Sequence, residues 1–185
     1  MAFNGGFLSK ETDNASLLES RVLAAVRPIV GDELIDVTYW ALRFELASSG
    51  QIDDPDFYFG GEVELRFKHS GTIFISWDEN AGWSHHYSVQ ARTSSAFLPG
   101  ALVAWPARGV GVWPSLIGSR LTEAEILGAE GVPHVIVLAL AGKKVCIGDG
   151  HERTFCDGDD ILVRIGDSVP QLPLLERVWE SGRRR

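Results

Sequence analysis

The sequence has few cysteines, no long apolar run and a shortage of basic residues, and each of these absences excludes a class of protein. Cys146 and Cys156 are the two cysteines among 185 residues, and their spacing matches no zinc-binding pattern. The longest apolar run, Val135 to Ala141, is strand-sized, whereas a membrane helix needs about eighteen residues. With 17 Lys and Arg against 25 Asp and Glu, the net charge is −8, which disfavours binding to nucleic acid.

The first ten residues do not match the pattern of a secretory signal peptide. Met1 to Lys10 lacks a charged segment followed by an apolar stretch. We therefore expect a cytoplasmic protein, without a membrane partner, whose two cysteines are reduced.

Established catalytic motifs are also absent from the sequence. No Gly-x-Ser-x-Gly elbow, Walker loop or Gly-x-Gly-x-x-Gly after a strand occurs. Cys156 lies among acidic residues, which raise the pKa of a thiol and so disfavour a nucleophile. The five histidines have no carboxylate or cysteine partner at ligand spacing. We therefore favour a non-enzymatic protein without a cofactor.

Helical periodicity is limited to the two ends of the chain. From Ala15 to Val30 the apolar residues fall on one helical face, and Pro28 should end the helix near Val26 or Arg27. The stretch Gln171 to Ser181 predicts a short C-terminal helix.

Alternating patterns typical of strands fill most of the remaining chain. A strand is predicted from Leu34 to Leu46, with Trp40 in the core. Two β-hairpins follow, one turning at Gly71 and the other at Gly142.

The two halves of the chain share one order of features. Residues 29–92 and 116–165 each open with two apolar residues and a glycine, then continue with a strand, a hairpin and a last strand. We interpret this order as an internal duplication, joined by a packed connector over residues 94–114. The alternative is that any antiparallel meander looks repetitive. The predicted fold is mostly β (α+β), one domain of antiparallel sheets from two related β-meander units, with an N-terminal and a short C-terminal helix.

An acidic segment near residue 150 is a weak candidate for a metal site. Carboxylates and glycines lie close together there, but the spacing does not match an EF-hand loop. Asp-Gly pairs are also favoured in tight turns, which is the interpretation we prefer. If a metal does bind, the candidate ligands are Asp149, Asp157 and Asp159.

A polar loop between two tryptophans is the predicted binding surface. Trp77 and Trp83 bracket a segment that contains Asp78 and Glu79, and His86 lies just beyond it. Aromatic side chains beside acidic ones are typical of protein-binding surfaces. The alternative is that both tryptophans pack in the core or at its rim.

One segment of the chain resembles a known group of proteins. Trp113-Pro114-Ser115-Leu116-Ile117-Gly118 and the apolar pattern with Gly turns up to residue 165 resemble uncharacterised bacterial proteins, some of them like immunity proteins of polymorphic toxin systems. The resemblance implies neutralisation of a toxin by tight binding, without chemistry. An acidic surface would suit a basic toxin as the partner.

Two other functions remain open from the sequence. The chain could be a small-ligand-binding protein or an enzyme, with Tyr87 and His86 lining a β-walled pocket. It could also be a structural domain that oligomerises through exposed strand edges.

Overall fold

The mostly β, α+β architecture expected from the sequence is confirmed by two antiparallel sheets. The computed structural model describes residues 19–43, 56–79, 87–151, 154–156, 158–172 and 175–181. Trp83, His86 and Asp157 therefore lie outside the described residues. The strands are β1 (Leu34–Ala41), β2 (Asp56–Phe59), β3 (Gly61–Phe67), β4 (Gly71–Glu79), β5 (Tyr87–Arg92), β6 (Val103–Pro106), β7 (Leu121–Ala129), β8 (Val132–Leu140), β9 (Lys143–His151), β10 (Thr154–Phe155), β11 (Asp160–Gly166) and β12 (Glu176–Glu180).

The two sheets pack around a shared apolar core. The five-stranded sheet has the order β5-β4-β3-β1-β6, and the seven-stranded sheet has the order β12-β7-β8-β9-β11-β2, with β10 paired to β9. Alternate residues of β3 and β4 point into this core, as the period of a β-strand requires. Every residue of β8 is buried, because a second apolar cluster that includes Val135 and Val137 lies on the other face of the seven-stranded sheet. Among the fully buried side chains are Val37, Leu65, Ile75, Ile136, Ile147 and Ile161.

The predicted N-terminal helix is present and ends where its proline requires. Within the described residues it spans 19–26 (α1) and then tightens into a 3-10 turn at Arg27–Ile29. Val22, Val26 and Ile29 are completely buried, so one face of α1 packs on the core. A second, four-residue helix, α2, spans Trp113–Leu116. None of the helices in the described ranges has both the length and the apolar character needed to span a bilayer.

The predicted C-terminal helix is wrong, because this segment forms β12. Glu176–Glu180 pairs antiparallel with β7, and the Ser181 N–H continues the pairing by donating to the Ala124 carbonyl at 2.8 Å. Pro170 and Pro173 disfavour a helix over Gln171 to Ser181. The open edge of β7 offers backbone partners instead, which local helical spacing does not reveal.

The predicted placement of Trp40 in the core is also wrong. β1 ends at Ala41, earlier than expected, and Tyr39 and Ala41 are its inward-facing residues. Because side chains alternate along a strand, Trp40 lies on the outer face of the five-stranded sheet and is half-buried. Tyr39 instead accepts a buried hydrogen bond from the indole N–H of Trp113 at 2.5 Å.

The two halves of the chain form meanders with the same strand order. β1, β3, β4 and β5 are consecutive neighbours in one sheet, as β7, β8, β9 and β11 are in the other. The predicted hairpin turns at Gly71 and Gly142 are both present. A common ancestry of residues 29–92 and 116–165 stays a prediction.

The segments that open the two meanders pair with each other, and we call this pairing the sheet junction (residues 31–34 with 118–121). Gly31 and Gly118 adopt nearly equal left-handed φ angles of 90° and 88°. A residue with a side chain would be strained in this conformation. The four backbone hydrogen bonds are reciprocal. They run from Gly31 N–H to Leu121 C=O at 2.8 Å, from Gly118 N–H to Leu34 C=O at 2.7 Å, from Leu34 N–H to Ser119 C=O at 2.9 Å, and from Leu121 N–H to Asp32 C=O at 2.8 Å.

Asp32 attaches the β3–β4 turn to the sheet junction. Its carboxylate accepts hydrogen bonds from the backbone N–H groups of His69 at 2.9 Å and Ser70 at 2.6 Å, and from the Ser70 hydroxyl at 2.7 Å. Desolvation raises the pKa of Asp32, but these donors and the Glu33 N–H outweigh it and hold the pKa well below its ordinary value of 3.8.

We predict that Asp32→Asn lowers the melting temperature at neutral pH, because the amide cannot accept from all of these donors. A carboxylate whose pKa is lowered by folding stabilises the fold above its unfolded-state pKa, and this stabilisation is lost as the pH falls through the folded-state value. The difference in melting temperature between wild type and variant should therefore shrink in acid, below the ordinary pKa of 3.8. Thermal unfolding followed by circular dichroism measures both effects.

Asp36→Asn is the matched control. Asp36 forms exposed ion pairs with Arg66 and Arg108, which contribute little to stability. An Asp36→Asn variant as destabilised as Asp32→Asn would contradict the anchoring role of Asp32.

Candidate functional site

The structure divides the predicted binding residues of β4 between the two faces of its sheet. Trp77 points toward the core and makes an edge-to-face contact with Tyr87, with ring centroids 5.6 Å apart. Its indole nitrogen is buried and has no hydrogen-bond partner among the described residues. Asp78 and Glu79 are exposed, and Asp78 pairs with Arg92 at 2.8 Å. Trp77 and Asp78 therefore do not form one surface.

A small pocket lies on the outer face of the five-stranded sheet, under the segment after β5. Its volume is about 200 Å³. Leu98, which covers one side, is 81% exposed. The pocket walls are mainly apolar and aromatic, and they include Trp40, Glu62, Phe74, Phe97, Leu98 and Leu102. We call this the outer-face pocket.

A carboxylate lies in the otherwise apolar wall of the outer-face pocket. Glu62 is 1% exposed and is the one ionisable residue among the described residues that line the pocket. It accepts a hydrogen bond from the Ala96 N–H at 3.0 Å, which also holds the covering segment against the sheet. Burying a carboxylate is unfavourable unless it is paired, so this position favours an incoming cation.

A second carboxylate stands beside the first on the outer face of β3. Glu64 lies two residues along β3 from Glu62, on the same face, and accepts a hydrogen bond from the indole N–H of Trp40 at 2.6 Å. Neither Glu62 nor Glu64 forms an ion pair with a described residue. Among the described residues, the carboxylates of Glu62 and Glu64 are therefore held by hydrogen-bond donors and not by an ion-pair partner.

A different cluster lies in the seven-stranded sheet, at the paired ends of β8 and β9. Val135 on β8 is paired with Gly148 on β9, and the next residues along, His134 and Asp149, contact each other through their side chains. The His134 Nδ1 lies 3.0 Å from each Asp149 carboxylate oxygen, and both side chains are completely buried. Gly148 permits this close packing, because a Cβ there would lie 2.2 Å from the His134 carbonyl oxygen.

Cys156 is the third member of this group, which we call the thiol cluster (His134, Asp149 and Cys156). Its backbone N–H donates to the Asp149 carbonyl at 2.9 Å. Desolvation lowers the pKa of His134, but the hydrogen bond to Asp149 and the charge interactions with Asp149 and Cys156 outweigh it and raise this pKa to about 9. Cys156 has a φ of 84°, a strained conformation for a residue with a side chain.

The sequence interpretation missed the thiol cluster. It found no partner for His134, although the partner is fifteen residues away on the adjacent strand. The register of the Ala141–Gly142 hairpin turn was the available signal, because Leu140 pairs with Lys143 and counting outward brings His134 opposite Asp149.

The predicted metal ligands are not brought together by the described residues. Asp149 is buried against His134, whereas Asp159 is exposed and Asp157 lies outside the described residues. No group of three His, Cys, Asp or Glu side chains in the described ranges has an arrangement that could hold a metal ion.

Comparison of the chain with protein-family models, curated proteins and solved structures finds no match. The outer-face pocket and the thiol cluster are therefore interpreted from their own geometry.

We predict that the His134–Asp149 pair makes stability fall at alkaline pH. A histidine whose pKa is raised by folding stabilises the fold below its unfolded-state pKa of 6.5, and the stabilisation is lost as the pH rises to about 9. The free energy of unfolding should decrease across this interval by about 3 kcal/mol, since each pKa unit corresponds to about 1.4 kcal/mol. Urea unfolding measured at a series of pH values tests this.

Two variants separate this effect from other titrations. Asp149→Asn should remove most of the decrease and should destabilise the fold below pH 6.5, because the buried histidine loses its counter-charge. In Cys156→Ser the free energy of unfolding should still decrease as the pH rises, because Asp149 still raises the pKa of His134. An unchanged pH dependence in Asp149→Asn would contradict this assignment.

Proposed function

We propose that the protein binds a basic protein partner and that the outer-face pocket receives a lysine or arginine side chain of that partner. The observation that carries this proposal is the nearly buried carboxylate of Glu62 in an aromatic and aliphatic wall. A long basic side chain has an apolar stem and a charged head, so it matches such a wall at both ends. Aromatic rings also attract cations through their faces.

The size of the outer-face pocket supports a side chain over a free small molecule. Pockets for drug-sized ligands measure about 300–1,000 Å³. The volume here is about 200 Å³, and the pocket lies beside the exposed Leu98. An exposed apolar side chain next to a pocket is a suitable contact for a protein surface.

The charge of the chain supports a basic partner. The net charge is −8, and Glu62 and Glu64 lack cationic partners among the described residues. Complementary charge accelerates association and discriminates against acidic partners. The resemblance to immunity proteins agrees with this proposal, the partner then being a basic toxin.

The oligomerising alternative has less support from the sheet edges. Among the described strands, three that lie at sheet edges are short, with four or five residues each: β2, β6 and β12. Short edges offer few backbone groups to a second chain and are a common protection against edge pairing. A binding role therefore remains the better-supported function.

We predict that the outer-face pocket binds the side chains of N-acetyl-lysine methylamide and N-acetyl-arginine methylamide. The reporter is the indole N–H of Trp40, which donates to Glu64 beside the pocket and should shift in ¹H–¹⁵N NMR spectra during titration. This resonance is assigned to Trp40 because it is missing from the spectrum of the Trp40→Phe variant. The N-acetyl-norleucine amide, which lacks the charged head, should shift it much less.

Glu62→Gln should weaken binding of the basic ligands by about ten-fold or more, because a hydrogen bond to a charged group contributes about 1.5–3 kcal/mol. Glu33→Gln is the matched control for loss of one negative charge, since Glu33 forms an exposed pair with Lys68 and does not line the pocket. Equal effects of the two substitutions, or equal shifts with norleucine, would overturn the proposed role of Glu62.

Asp78 and Glu79 should affect the rate of association with the whole partner rather than the strength of the final contact. Both are exposed, so their charges act mainly by steering. For a basic protein retained from host lysate, Asp78→Asn with Glu79→Gln should slow association at low salt, as measured by surface plasmon resonance. An unchanged association rate at low salt would count against these two residues.

A further inference from the structure

We propose that the outer-face pocket selects a quaternary ammonium group, so that it binds a lysine side chain more tightly when the lysine is trimethylated. This inference rests on the proposed function of the pocket as a receptor for a basic side chain, and it names the chemical form of that side chain. The same head group occurs in free small molecules such as choline. The ligands used in the test separate these two sources.

Aromatic residues from three segments of the chain line the outer-face pocket. Trp40 comes from β1, Phe74 from β4, and Phe97 from the segment after β5. Among the described residues, the ring-stacking and cation–ring contacts involve other rings. The faces of aromatic rings attract cations, and several rings around one site are the usual receptor for a quaternary ammonium. The pocket has this composition.

The polar groups of the pocket wall already form hydrogen bonds within the protein. The Glu62 carboxylate accepts from the Ala96 N–H at 3.0 Å, and the Ser95 hydroxyl oxygen accepts from the Phe97 N–H at 3.1 Å. An unmodified lysine ammonium has three N–H donors, and a buried donor without an acceptor is unfavourable. A trimethylammonium has no N–H donor, so it brings the same charge into the pocket without this cost.

The negative charge of Glu62 favours a cation over a neutral group of the same shape. Glu62 is 1% exposed, so solvent screens its charge little. Arg92 lies across from Phe74 on β5, but its guanidinium donates to the Ser76 hydroxyl and to the Asp78 carboxylate, both at 2.8 Å. The cost of burying an ion falls as its radius grows, so a trimethylammonium leaves water more easily than a primary ammonium.

The exposed Leu98 favours a side chain over a free small molecule as the source of the head group. Leu98 lines the pocket and is 81% exposed. The four-carbon stem of a trimethyllysine gains apolar contact with a side chain in this position, whereas choline has no such stem. We therefore expect the trimethyllysine ligand to bind more tightly than choline.

The test is a set of titrations of the wild-type protein, followed by the Trp40 indole N–H resonance in ¹H–¹⁵N NMR spectra. The ligands are N-acetyl-trimethyllysine methylamide, N-acetyl-lysine methylamide, choline, and the neutral tert-butyl analogue of choline, in which carbon replaces the quaternary nitrogen. The trimethyllysine amide should bind about five-fold or more tightly than the lysine amide, as a cation in contact with aromatic rings does. Choline should exceed its neutral analogue by a similar factor.

The outcomes distinguish failure of this inference from failure of the proposed function. If the lysine amide binds as tightly as the trimethyllysine amide, the inference is overturned and the proposed function stands. If the tert-butyl analogue binds as tightly as choline, the charge has no role and the inference is overturned. If no ligand binds, both fail. Tighter binding of choline than of the trimethyllysine amide supports a quaternary ammonium site and overturns a side chain as its source.

Phe97→Leu tests the contribution of one aromatic ring while keeping an apolar wall. It should weaken binding of the trimethyllysine amide about five-fold and change binding of the tert-butyl analogue little. Tyr58→Leu is the matched control, because Tyr58 is a partly buried aromatic residue of β2 that does not line the pocket. Equal losses in the two variants would contradict the role of the Phe97 ring, and the wild-type titrations decide the proposal if either variant fails to fold.

Discussion

The reciprocal pairing at the sheet junction is the constraint on which the rest of the structure depends. Gly31 and Gly118 turn the chain in the same way, and Leu34 and Leu121, both completely buried, start the first strand of each meander from that point. Each of the four backbone hydrogen bonds contributes about 1 kcal/mol in net terms. Their larger effect is geometric, because they fix where the two meanders begin and hence which faces meet in the core.

The strand register that places the core residues on the inner faces also determines which residues become neighbours at the two candidate sites. In the five-stranded sheet, the residues that alternate with the core residues point outward, and they bring Glu62 and Trp40 together as cross-strand neighbours. In the seven-stranded sheet, the hairpin of β8 and β9 brings His134 to Asp149. Both candidate sites therefore follow from strand register. In each site an ionisable side chain is almost completely buried, so solvent does not weaken its interactions with neighbouring groups.

The sequence predicted the fold class, the N-terminal helix and both hairpin turns, because each depends on local pattern. The predicted C-terminal helix was wrong because the segment forms β12, and the partner strand of β12, β7, is about fifty residues away along the chain. The sequence interpretation also failed for Trp40, because period-two alternation alone does not say which face is buried. His134 and Asp149 could have been paired by counting from the Ala141–Gly142 turn, since a two-residue turn fixes register. Trp40 and Glu62 could not have been paired from the sequence, because the long connection between β1 and β3 does not determine the register of these two strands.

Native-state hydrogen exchange of the backbone amides tests most directly whether the sheet junction unites the two sheets. If the sheet junction unites the sheets, the amides of Gly31, Leu34, Gly118 and Leu121 exchange only by global unfolding, with the same free energy of opening as the central strands β3 and β8. If these four amides exchanged by a local opening while β3 and β8 stayed protected, or if the two sheets opened at clearly different free energies, the sheet junction would not be the constraint on which the structure depends.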